Sequence, residues 1–330
     1  MDTFKFIHIS DLHIGSDPGR LHVWDYLRVV AHEKGYKGVP GLVSDSFYKP
    51  TSHDDDIAHK LARFIFENQE DVDLLLVSGD IARTGVPADL SAALAYFEGK
   101  HSHQVPFQTG ERMPTLAGAG LSLFLLPGNH DRYANDLGVP AGNHFDAIFG
   151  RYWDTGIRGT KTALLRHSDA DDHLAFIAAD FSLRSESECI GVPWFSRWGQ
   201  GMAGEDTLEE LVEKTKDHHE KGHGVVWVCH FPPTEPAEFT LRLNRWSSVI
   251  SAAKECGVEH IFSGHLHRCG TFEESGIKII CAGSGTAFLE RAHGNWVHTI
   301  TVEVEKTNVR ILNKSDFRWN SSRKAFEASV

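Results

Sequence analysis

The chain has 330 residues, of which 41% are apolar and 24% are charged, a balance that is typical of a soluble globular protein and excludes a disordered one. Its formal net charge of −12 disfavours a protein that grips a nucleic-acid backbone, because that grip requires clustered lysine and arginine. The 5 cysteines form no CxxC pair, and neither an export signal nor a long apolar run is present. We therefore expect a reduced, cytoplasmic protein without a membrane span.

The first part of the chain contains short apolar runs separated by a long polar interval. Phe4–Ser10 and Leu74–Ser78 are predicted strands, and the unbroken apolar character of the second indicates burial on both faces. Helical spacing and an acidic start predict a helix over Ile57–Asn68. Gly15–Asp56 is rich in Gly, Pro and aromatic residues, and we interpret it as an insertion beside the functional site, with a helix at Leu21–Glu33.

The remaining elements complete a chain in which strands and helices alternate first and strands cluster late. Further helices are predicted over Pro87–Phe97, Asn143–Arg151, Asp206–Glu220 and Asn244–Cys256. Further strands are predicted at the start of Leu121–Asp131 and over Leu174–Asp180, Val225–Cys229, His260–Ser263, Lys278–Ala282, Trp296–Val304 and Val309–Leu312. This order predicts one α/β domain over residues 1–318, with a mixed sheet or two packed sheets and helices outside. Residues 319–330 are predicted to form a flexible tail.

Five of the predicted strands end abruptly in polar side chains. They run into Asp11-Leu12-His13, Gly79-Asp80, Asn129-His130-Asp131, His230 and His265-Leu266-His267. Open α/β sheets build their binding sites at the carboxyl ends of strands, so we expect these side chains to converge. Residues two apart in an extended chain point the same way, so each of the two Xaa-Leu-His motifs can face one site with both of its polar residues.

The side chains at these strand ends form a typical donor set for metal ions. Apart from His130 and Asp131, they comprise two carboxylates, one amide and four imidazoles, with no thiolate. Mixed oxygen and nitrogen donors suit Mn, Fe, Zn or Co. Seven groups are too many for one tetrahedral ion, but they fit two ions that share a carboxylate. Glycines before three of the motifs, Gly79, Gly128 and Gly264, allow the backbone to turn tightly.

Taken together, these motifs resemble the five-part signature of the calcineurin-like metallophosphoesterases, over residues 11–267. The resemblance implies a four-layer α-β-β-α sandwich of two mixed sheets, with helices on the outer faces and two metal ions at the strand ends. It implies that one ion is held by Asp11, His13, Asp80 and His267, and that the other is held by Asp80 as the shared ligand, Asn129, His230 and His265. It also implies that His130 contacts the phosphate and that Asp131 orients His130.

The activity implied is that of a dinuclear, metal-dependent phosphoesterase, with two Mn, Fe or Zn ions and attack by a metal-bound hydroxide. Gly79-Asp80 is followed by Ile81-Ala82-Arg83, without the second Asp and the Arg-Gly of the protein-phosphatase branch. This departure disfavours a phosphoserine phosphatase. The opening motif at 8–13 and the closing motif at 263–268 are closer to those of the small phosphodiesterases, so the expected partner is a small phosphate ester. We expect Arg83 to form a surface ion pair rather than to reach the phosphate.

Two alternatives remain open at this point. One is a metal-dependent nuclease of the DNA-repair type, which the acidic balance of the chain disfavours. The other is a non-catalytic scaffold that keeps the fold, although such a protein should have lost ligands and none is missing here. No pattern in the sequence specifies an oligomeric state.

Overall fold

The computed structural model describes residues 2–16, 53–100, 113–117, 121–132, 142–166, 172–183, 199–235, 241–286 and 293–329. Most of the predicted insertion at 15–56, including the helix predicted at Leu21–Glu33, lies outside the described residues. Its flanks lie together, because the backbone amide of Gly15 donates to Nδ1 of His53 at 3.2 Å. The interval between them therefore leaves and rejoins the described chain beside His13.

The described part of the chain contains six α-helices and fourteen strands. The helices are α1 (Asp55–Glu67), α2 (Pro87–Phe97), α3 (Asn129–Arg132), α4 (His144–Phe149), α5 (Glu205–Glu220) and α6 (Trp246–Cys256). The strands are β1 (Asp2–Ile9), β2 (Leu74–Val77), β3 (Ser122–Leu125), β4 (Thr160–Leu165), β5 (Leu174–Ala179), β6 (Gly201–Met202), β7 (Gly224–Cys229), β8 (Leu243–Asn244), β9 (His260–Ser263), β10 (Cys269–Glu274), β11 (Ile277–Ala282), β12 (Trp296–Glu305), β13 (Asn308–Asn320) and β14 (Ala325–Ala328). None of the described helices is long and apolar enough to cross a membrane.

The strands form two six-stranded mixed sheets, which confirms the predicted fold class. The first sheet has the order β14-β13-β12-β1-β2-β3, in which β1, β2 and β3 are parallel and β12 runs antiparallel to β1. The second has the order β10-β11-β9-β7-β5-β4, with four parallel strands flanked by antiparallel β10 and β4. The carboxyl ends of the parallel strands in each sheet therefore lie at one edge, where the polar motifs begin.

The inner faces of the two sheets pack against each other through large apolar side chains. Phe6 of the first sheet lies 5.0 Å from Phe176 and 5.2 Å from Phe262 of the second, both in edge-to-face geometry. All three are fully buried, and burial of a phenylalanine stabilises the fold by roughly 1.5–3 kcal/mol. A second apolar cluster lies on the other face of the second sheet and includes residues of α5 and α6. This packing fixes the distance between the two sets of strand ends.

The predicted helices within the described residues are all present, with ends displaced by at most two residues. The start of α1 has the predicted acidic entry, since the carboxylate of Asp54 accepts from the amide of Ile57 at 3.1 Å. The edge strands β4 and β10 are additions that the sequence reasoning missed. Each pairs on one side only and mixes polar with apolar residues, so neither produces a continuous apolar run.

The predicted flexible tail at 319–330 is wrong for residues 319–328. Strand β13 continues to Asn320, and β14 returns antiparallel beside it. Phe326 explains this order, because the residue is only 8% exposed and its ring lies 5.4 Å from that of Trp319 and 5.9 Å from that of Phe64 in α1. One aromatic residue in a polar stretch thus anchors the terminal hairpin to the first helix.

Candidate metal centre

The seven predicted ligand residues converge where the strands of both sheets end. The first sheet supplies four of them just beyond β1, β2 and β3, and the second supplies three beyond β7 and β9. In the described part of the chain they form two groups of closely spaced donors. One contains Asp11, His13, Asp80 and His267, and the other contains Asp80, His230 and His265, with all donor atoms of each group within 4.8 Å of one another.

The first group has the spacing of ligands around a single ion. Nε2 of His267 lies 3.2 Å from Oδ1 of Asp11 and 3.2 Å from Nε2 of His13. Nε2 of His13 lies 4.0 Å from the same Asp11 oxygen. With metal–ligand bonds of about 2.1 Å, neighbouring ligand atoms are separated by roughly 3.0–3.5 Å and opposite ones by roughly 4 Å. These side chains therefore surround a volume that fits one ion.

The second group is arranged around the imidazole of His230. Its Nε2 lies 3.2 Å from Oδ2 of Asp80 and 3.1 Å from the side-chain oxygen of Asn129. Asp80 belongs to both groups, as the sequence predicted for the shared carboxylate. All residues of this second group, including His265, are buried, so the pair of sites lies between the sheets rather than on an exposed surface.

The donor set fits a pair of metal ions. Within the described residues, the buried Oδ1 of Asp11 makes no hydrogen bond of good geometry, and its nearest partner is Nε2 of His267 at 3.2 Å. The charge of His267 offsets part of the desolvation cost of this carboxylate, and a cation would offset more of it. Neither group contains a thiol, and carboxylate, amide and imidazole donors are those that Mn, Fe and Zn accept.

Hydrogen bonds to the backbone select which nitrogen of each imidazole faces the centre. Nδ1 of His230 donates to the carbonyl of Ser78 at 2.8 Å, so Nε2 is the nitrogen that faces Asp80 and that would bind a metal ion after losing its proton. Nε2 of His265 donates to the carbonyl of Gly199 at 2.8 Å, which leaves Nδ1 as the donor nitrogen. Such outer contacts fix the tautomer and the orientation of a metal-binding histidine.

Five of the seven residues have a left-handed backbone conformation. Their φ angles are +53° for Asp11, +49° for His13, +51° for Asp80, +69° for His265 and +52° for His267. Each such residue costs on the order of 1–3 kcal/mol and persists only where its surroundings impose it. The surrounding structure therefore holds these residues in a strained backbone conformation, and that conformation brings their side chains together.

Two of the predicted glycines are required by close approach. A Cβ on Gly128 would lie 2.3 Å from Oδ1 of Asp80, and a Cβ on Gly264 would lie 1.8 Å from Oγ of Ser10. Gly79 has the positive φ, +101°, that its predicted role in a tight turn requires.

Ion pairs between the two sheets hold the side chains of the centre together. Burial would raise the pKa of Asp80, but the charges of His230 and His130 hold it well below its ordinary value. Burial lowers the pKa of His230, but the carboxylate of Asp80 outweighs this effect and raises it to about 9. Burial and the charge of His230 lower the pKa of His265 to about 3. Burial also lowers the pKa of His13, so these two imidazoles are neutral and ready to bind a cation.

His130 lies at the edge of the centre. Its ring is 4.5 Å from that of His13, and its backbone amide donates to Oδ1 of Asp80 at 2.8 Å. Nδ1 of His130 donates to the carbonyl of Arg83 at 2.8 Å. This bond fixes the orientation of the ring and leaves Nε2 as the nitrogen that the Arg83 carbonyl does not engage. Its side chain is half-buried, whereas the neighbouring Asn129 is fully enclosed.

The predicted role of Asp131 needs correction. Its carboxylate accepts from the backbone amides of Ile81 at 3.1 Å, Ala82 at 2.7 Å and Gly128 at 2.8 Å, while the Nδ1 bond of His130 goes to the Arg83 carbonyl. Burial and the nearby charge of Asp80 raise the pKa of Asp131 to about 7, against the effect of these amides. Asp131 thus ties the Asp80 turn to the Gly128 turn, and a backbone carbonyl orients His130.

Two arginines lie beside the centre, and the sequence predicted a role for only one of them. Arg83 forms an ion pair as predicted, but the pair is buried, with Nη2 3.2 Å from Oδ1 of Asp89. The fully buried Arg132 was not predicted to have a role. Its guanidinium lies 2.6 Å from Asp146 of α4 and 2.8 Å from Asp180. Asp180 comes directly after β5, just as the predicted ligands come after their strands. The same change from apolar to polar residues could therefore have identified it.

Comparisons with known proteins agree with this geometry. The profile of the calcineurin-like phosphoesterases matches residues 4–269, whereas no curated protein matches the sequence. The fold is similar to that of a dimetal phosphatase from Danio rerio, with a TM-score of 0.56, 14% identity and coverage of 96% of this chain and 99% of the other. It is also similar to a purple acid phosphatase from yellow lupin seeds, with a TM-score of 0.52, 10% identity and coverage of 99% of this chain and 53% of the other. This chain therefore spans about half the length of the lupin enzyme. The family profile covers most of the 330 residues and contains all of the convergent motifs, so the chain belongs to the calcineurin-like phosphoesterase family.

Proposed function

We propose that the protein is a dinuclear, metal-dependent phosphodiesterase that hydrolyses a small phosphate ester. The observation that carries this proposal is Asp80, whose carboxylate belongs to two groups of donors at once. A carboxylate shared between two sites would allow the chain to hold two cations, and phosphoryl transfer by two ions requires such a pair. The predicted ligands would be Asp11, His13, Asp80 and His267 for one ion and Asp80, Asn129, His230 and His265 for the other.

When bound, two such ions supply Lewis-acid stabilisation of phosphoryl oxygens and activation of water near neutral pH. The chain supplies the rigid frame for them. Because the Ser78 and Gly199 carbonyls hold the two second-site imidazoles, no reorganisation is needed when substrate binds. The buried position of these ligands keeps bulk water away from the donors and strengthens every electrostatic interaction there.

His130 is the residue that we expect to contact the substrate. Its Nδ1–H is engaged by the Arg83 carbonyl, so Nε2 is the nitrogen that can donate a proton to a phosphoryl oxygen or to the leaving oxygen. A positioned general acid of this kind contributes about 10²–10⁴-fold to rate. The bond to a carbonyl, rather than to a carboxylate, holds the ring without fixing a negative charge beside the incoming phosphate.

The surroundings favour a diester over a monoester. A diester carries one negative charge, whereas a monoester carries up to two near neutral pH and is usually held by additional arginines. Arg83 is the arginine that follows Asp80 in the chain, and its guanidinium is engaged by the buried carboxylate of Asp89. This pairing supports a substrate that needs less positive charge from the protein.

A panel of chromogenic esters tests the proposal. We expect the protein reconstituted with Mn, Fe or Zn to hydrolyse bis-p-nitrophenyl phosphate faster than p-nitrophenyl phosphate, and chelation to stop both reactions. Asp80→Asn should lose the activity, whereas Asp154→Asn, an exposed carboxylate paired with Lys161, should retain it. Undiminished hydrolysis by Asp80→Asn in the presence of chelator would refute the metal-dependent reaction. A monoester preference would refute the diester specificity, and degradation of labelled DNA in the same panel would favour a nuclease.

A further inference from the structure

A third group of potential metal ligands lies outside the dinuclear centre. It consists of Cys269, His298 and Asp316, whose donor atoms all lie within 4.8 Å of one another. Cys269 begins β10 in the second sheet, whereas His298 and Asp316 lie opposite each other on β12 and β13 of the first. The group therefore joins the two sheets, and it shares no residue with the two groups around Asp80.

Both ring nitrogens of His298 face hydrogen-bond acceptors. The residue is fully buried, its Nε2 contacts the carbonyl oxygen of Ala282, and its Nδ1 lies 2.7 Å from Oδ1 of Asp316. A neutral imidazole carries a single N–H and can donate to only one of these acceptors. The other contact would then place two lone pairs against each other. A metal ion bound to Nδ1 would satisfy the side of the ring that faces Asp316.

The neighbouring groups show that this position attracts cations. The ammonium of Lys314 lies 2.5 Å from one carboxylate oxygen of Asp316 and 2.7 Å from the other. Burial would raise the pKa of Asp316, but hydrogen bonds from His298 and Lys314 lower it to about 2, so it is a carboxylate at neutral pH. Its side chain is 29% exposed, which gives an ion a path from solvent. A thiol, an imidazole and a carboxylate together are a donor set that suits Zn²⁺.

We propose that Cys269, His298 and Asp316 form a zinc-type metal site that links the two sheets beside the dinuclear centre. This inference does not depend on the proposed function. On binding, the metal takes the place of two protons, one from the Cys269 thiol and one from Nδ1 of His298, and both protons pass to solvent. Nε2–H keeps its bond to the Ala282 carbonyl, and water completes a four-coordinate site.

The side chains need only small movements to reach coordination distances. In a tetrahedral site with bonds of about 2.1 Å, ligand atoms are roughly 3.4 Å apart. The His298–Asp316 separation of 2.7 Å must therefore widen by roughly 0.7 Å. Lys314, which has an 18% exposed side chain, must turn from Asp316 toward solvent, so its ammonium is the natural competitor of the metal.

Cobalt spectroscopy of the full chain separates this site from the dinuclear centre. Co²⁺ bound to a thiolate has a sulfur-to-metal charge-transfer band in the near ultraviolet, and neither group around Asp80 contains a thiol. Metal-stripped protein titrated with Co²⁺ should develop this band, with about one more ion bound per chain than in Cys269→Ser, where the band should be lost. Cys256→Ser, a partly buried thiol at the end of α6, is the matched control and should retain both.

A second variant keeps the test decisive if Cys269→Ser fails to fold. Asp316→Asn should retain the band only at Co²⁺ concentrations at least about tenfold higher, because a ligand and its charge are lost. Lys314→Met, which removes the competing ammonium, should shift the titration in the opposite direction. Absence of the band in the wild-type protein would overturn the proposal. An undiminished band in Cys269→Ser, or in Asp316→Asn at the same Co²⁺ concentration, would overturn it as well.

Discussion

The two sheets contribute different chemistry to the candidate centre. The ends of β1, β2 and β3 in the first sheet supply the oxygen donors Asp11, Asp80 and Asn129, together with a single imidazole. The ends of β7 and β9 in the second sheet supply imidazoles only, from His230, His265 and His267. Each group of donors therefore combines negative charge from one sheet with nitrogen ligands from the other.

Because of this division, the centre can form only when the two sheets pack together. The distances of 3.2 Å from His230 to Asp80 and from His267 to Asp11 both cross between the sheets. Metal ions would replace these contacts with stronger ones across the same interface, so ion binding should stabilise the sandwich by mass action. Variants that remove one side of the interface at a time show how far the two halves depend on each other.

Asp80→Asn should have the largest effect, because this residue serves both groups from the first sheet. We expect activity to fall by roughly 10³-fold or more, which is the order seen when a principal electrostatic group is lost. Metal content should fall below one ion per chain. His230→Ala removes a ligand from the second group only and should leave about one ion bound, as measured by elemental analysis after dialysis against metal. Equal losses of metal in the two variants would contradict a shared carboxylate.

Arg132→Met should have the next largest effect, on stability rather than on metal binding. Arg132 extends from α3, beside the first sheet, to Asp180 at the end of β5 in the second. Its ion pair therefore links the two sheets without the involvement of a metal ion. Removing it leaves two carboxylates, one of them fully buried, without their cation, which costs about 3–5 kcal/mol. Urea unfolding of the metal-stripped protein measures this loss.

The matched control for Arg132 is an exposed arginine. Arg63 of α1 lies 3.9 Å from Glu67 with a 40% exposed side chain, so Arg63→Met should change stability by no more than about 0.5 kcal/mol. Adding Asp180→Asn to Arg132→Met should recover part of the lost stability, because it removes the buried charge that was left uncompensated. A double variant no more stable than the single one would assign the loss to packing instead.

The strand ends explain why so much of the centre could be predicted. The abrupt change from apolar to polar residues after Ile9, Val77, Cys229 and Phe262 is visible in the sequence, and parallel strands place such positions at one edge. The hydrogen bonds of the surrounding shell could not be predicted in the same way. The Ser78, Arg83 and Gly199 carbonyls are backbone groups, which carry no residue signature. Their positions follow from how loops distant in sequence meet.

The terminal hairpin and the third donor group show the same limit. The burial of Phe326 depends on its contacts with Trp319 and Phe64, which are distant from each other in the sequence. The residues that flank Phe326 are mostly polar, so no local apolar pattern predicts that it is buried. The register of β12 and β13 places His298 opposite Asp316, and a bulge between Thr301 and Val302 shifts that register. A periodic pattern cannot locate such a bulge, so the pair could not be found from spacing alone.

His130→Ala should have a smaller effect than Asp80→Asn and should distinguish a substrate contact from a ligand. The variant should retain about two ions per chain while its kcat falls roughly 100-fold, at the lower end of general-acid contributions. The effect should shrink for esters with good leaving groups, which need less protonation, and comparison of nitrophenyl and alkyl esters measures this. Metal loss in His130→Ala would place the imidazole among the ligands instead.

The last effect that we predict is a pH dependence of stability whose sign changes when metal binds. In the metal-free protein, Asp80 raises the pKa of His230 from 6.5 to about 9. A raised folded-state pKa gives stability that is complete below pH 6.5 and is lost as the pH rises through 9, up to about 3 kcal/mol in all. Asp131, whose pKa is raised from 3.8 to about 7, acts in the same sense at lower pH, because its contribution to stability is lost as the pH rises from 3.8 through 7.

With metal bound, the folded state holds His230 without a proton, so the sign changes. The unfolded chain then binds more protons than the folded protein below pH 6.5, and stability rises with pH up to that value. Denaturant midpoints of the stripped and loaded protein between pH 6 and 9 should therefore diverge steadily. His230→Asn should flatten the alkaline loss in the stripped protein. A stripped protein whose midpoint stays constant from pH 6.5 to 9 would show that the His230–Asp80 pair does not hold the two sheets together without metal.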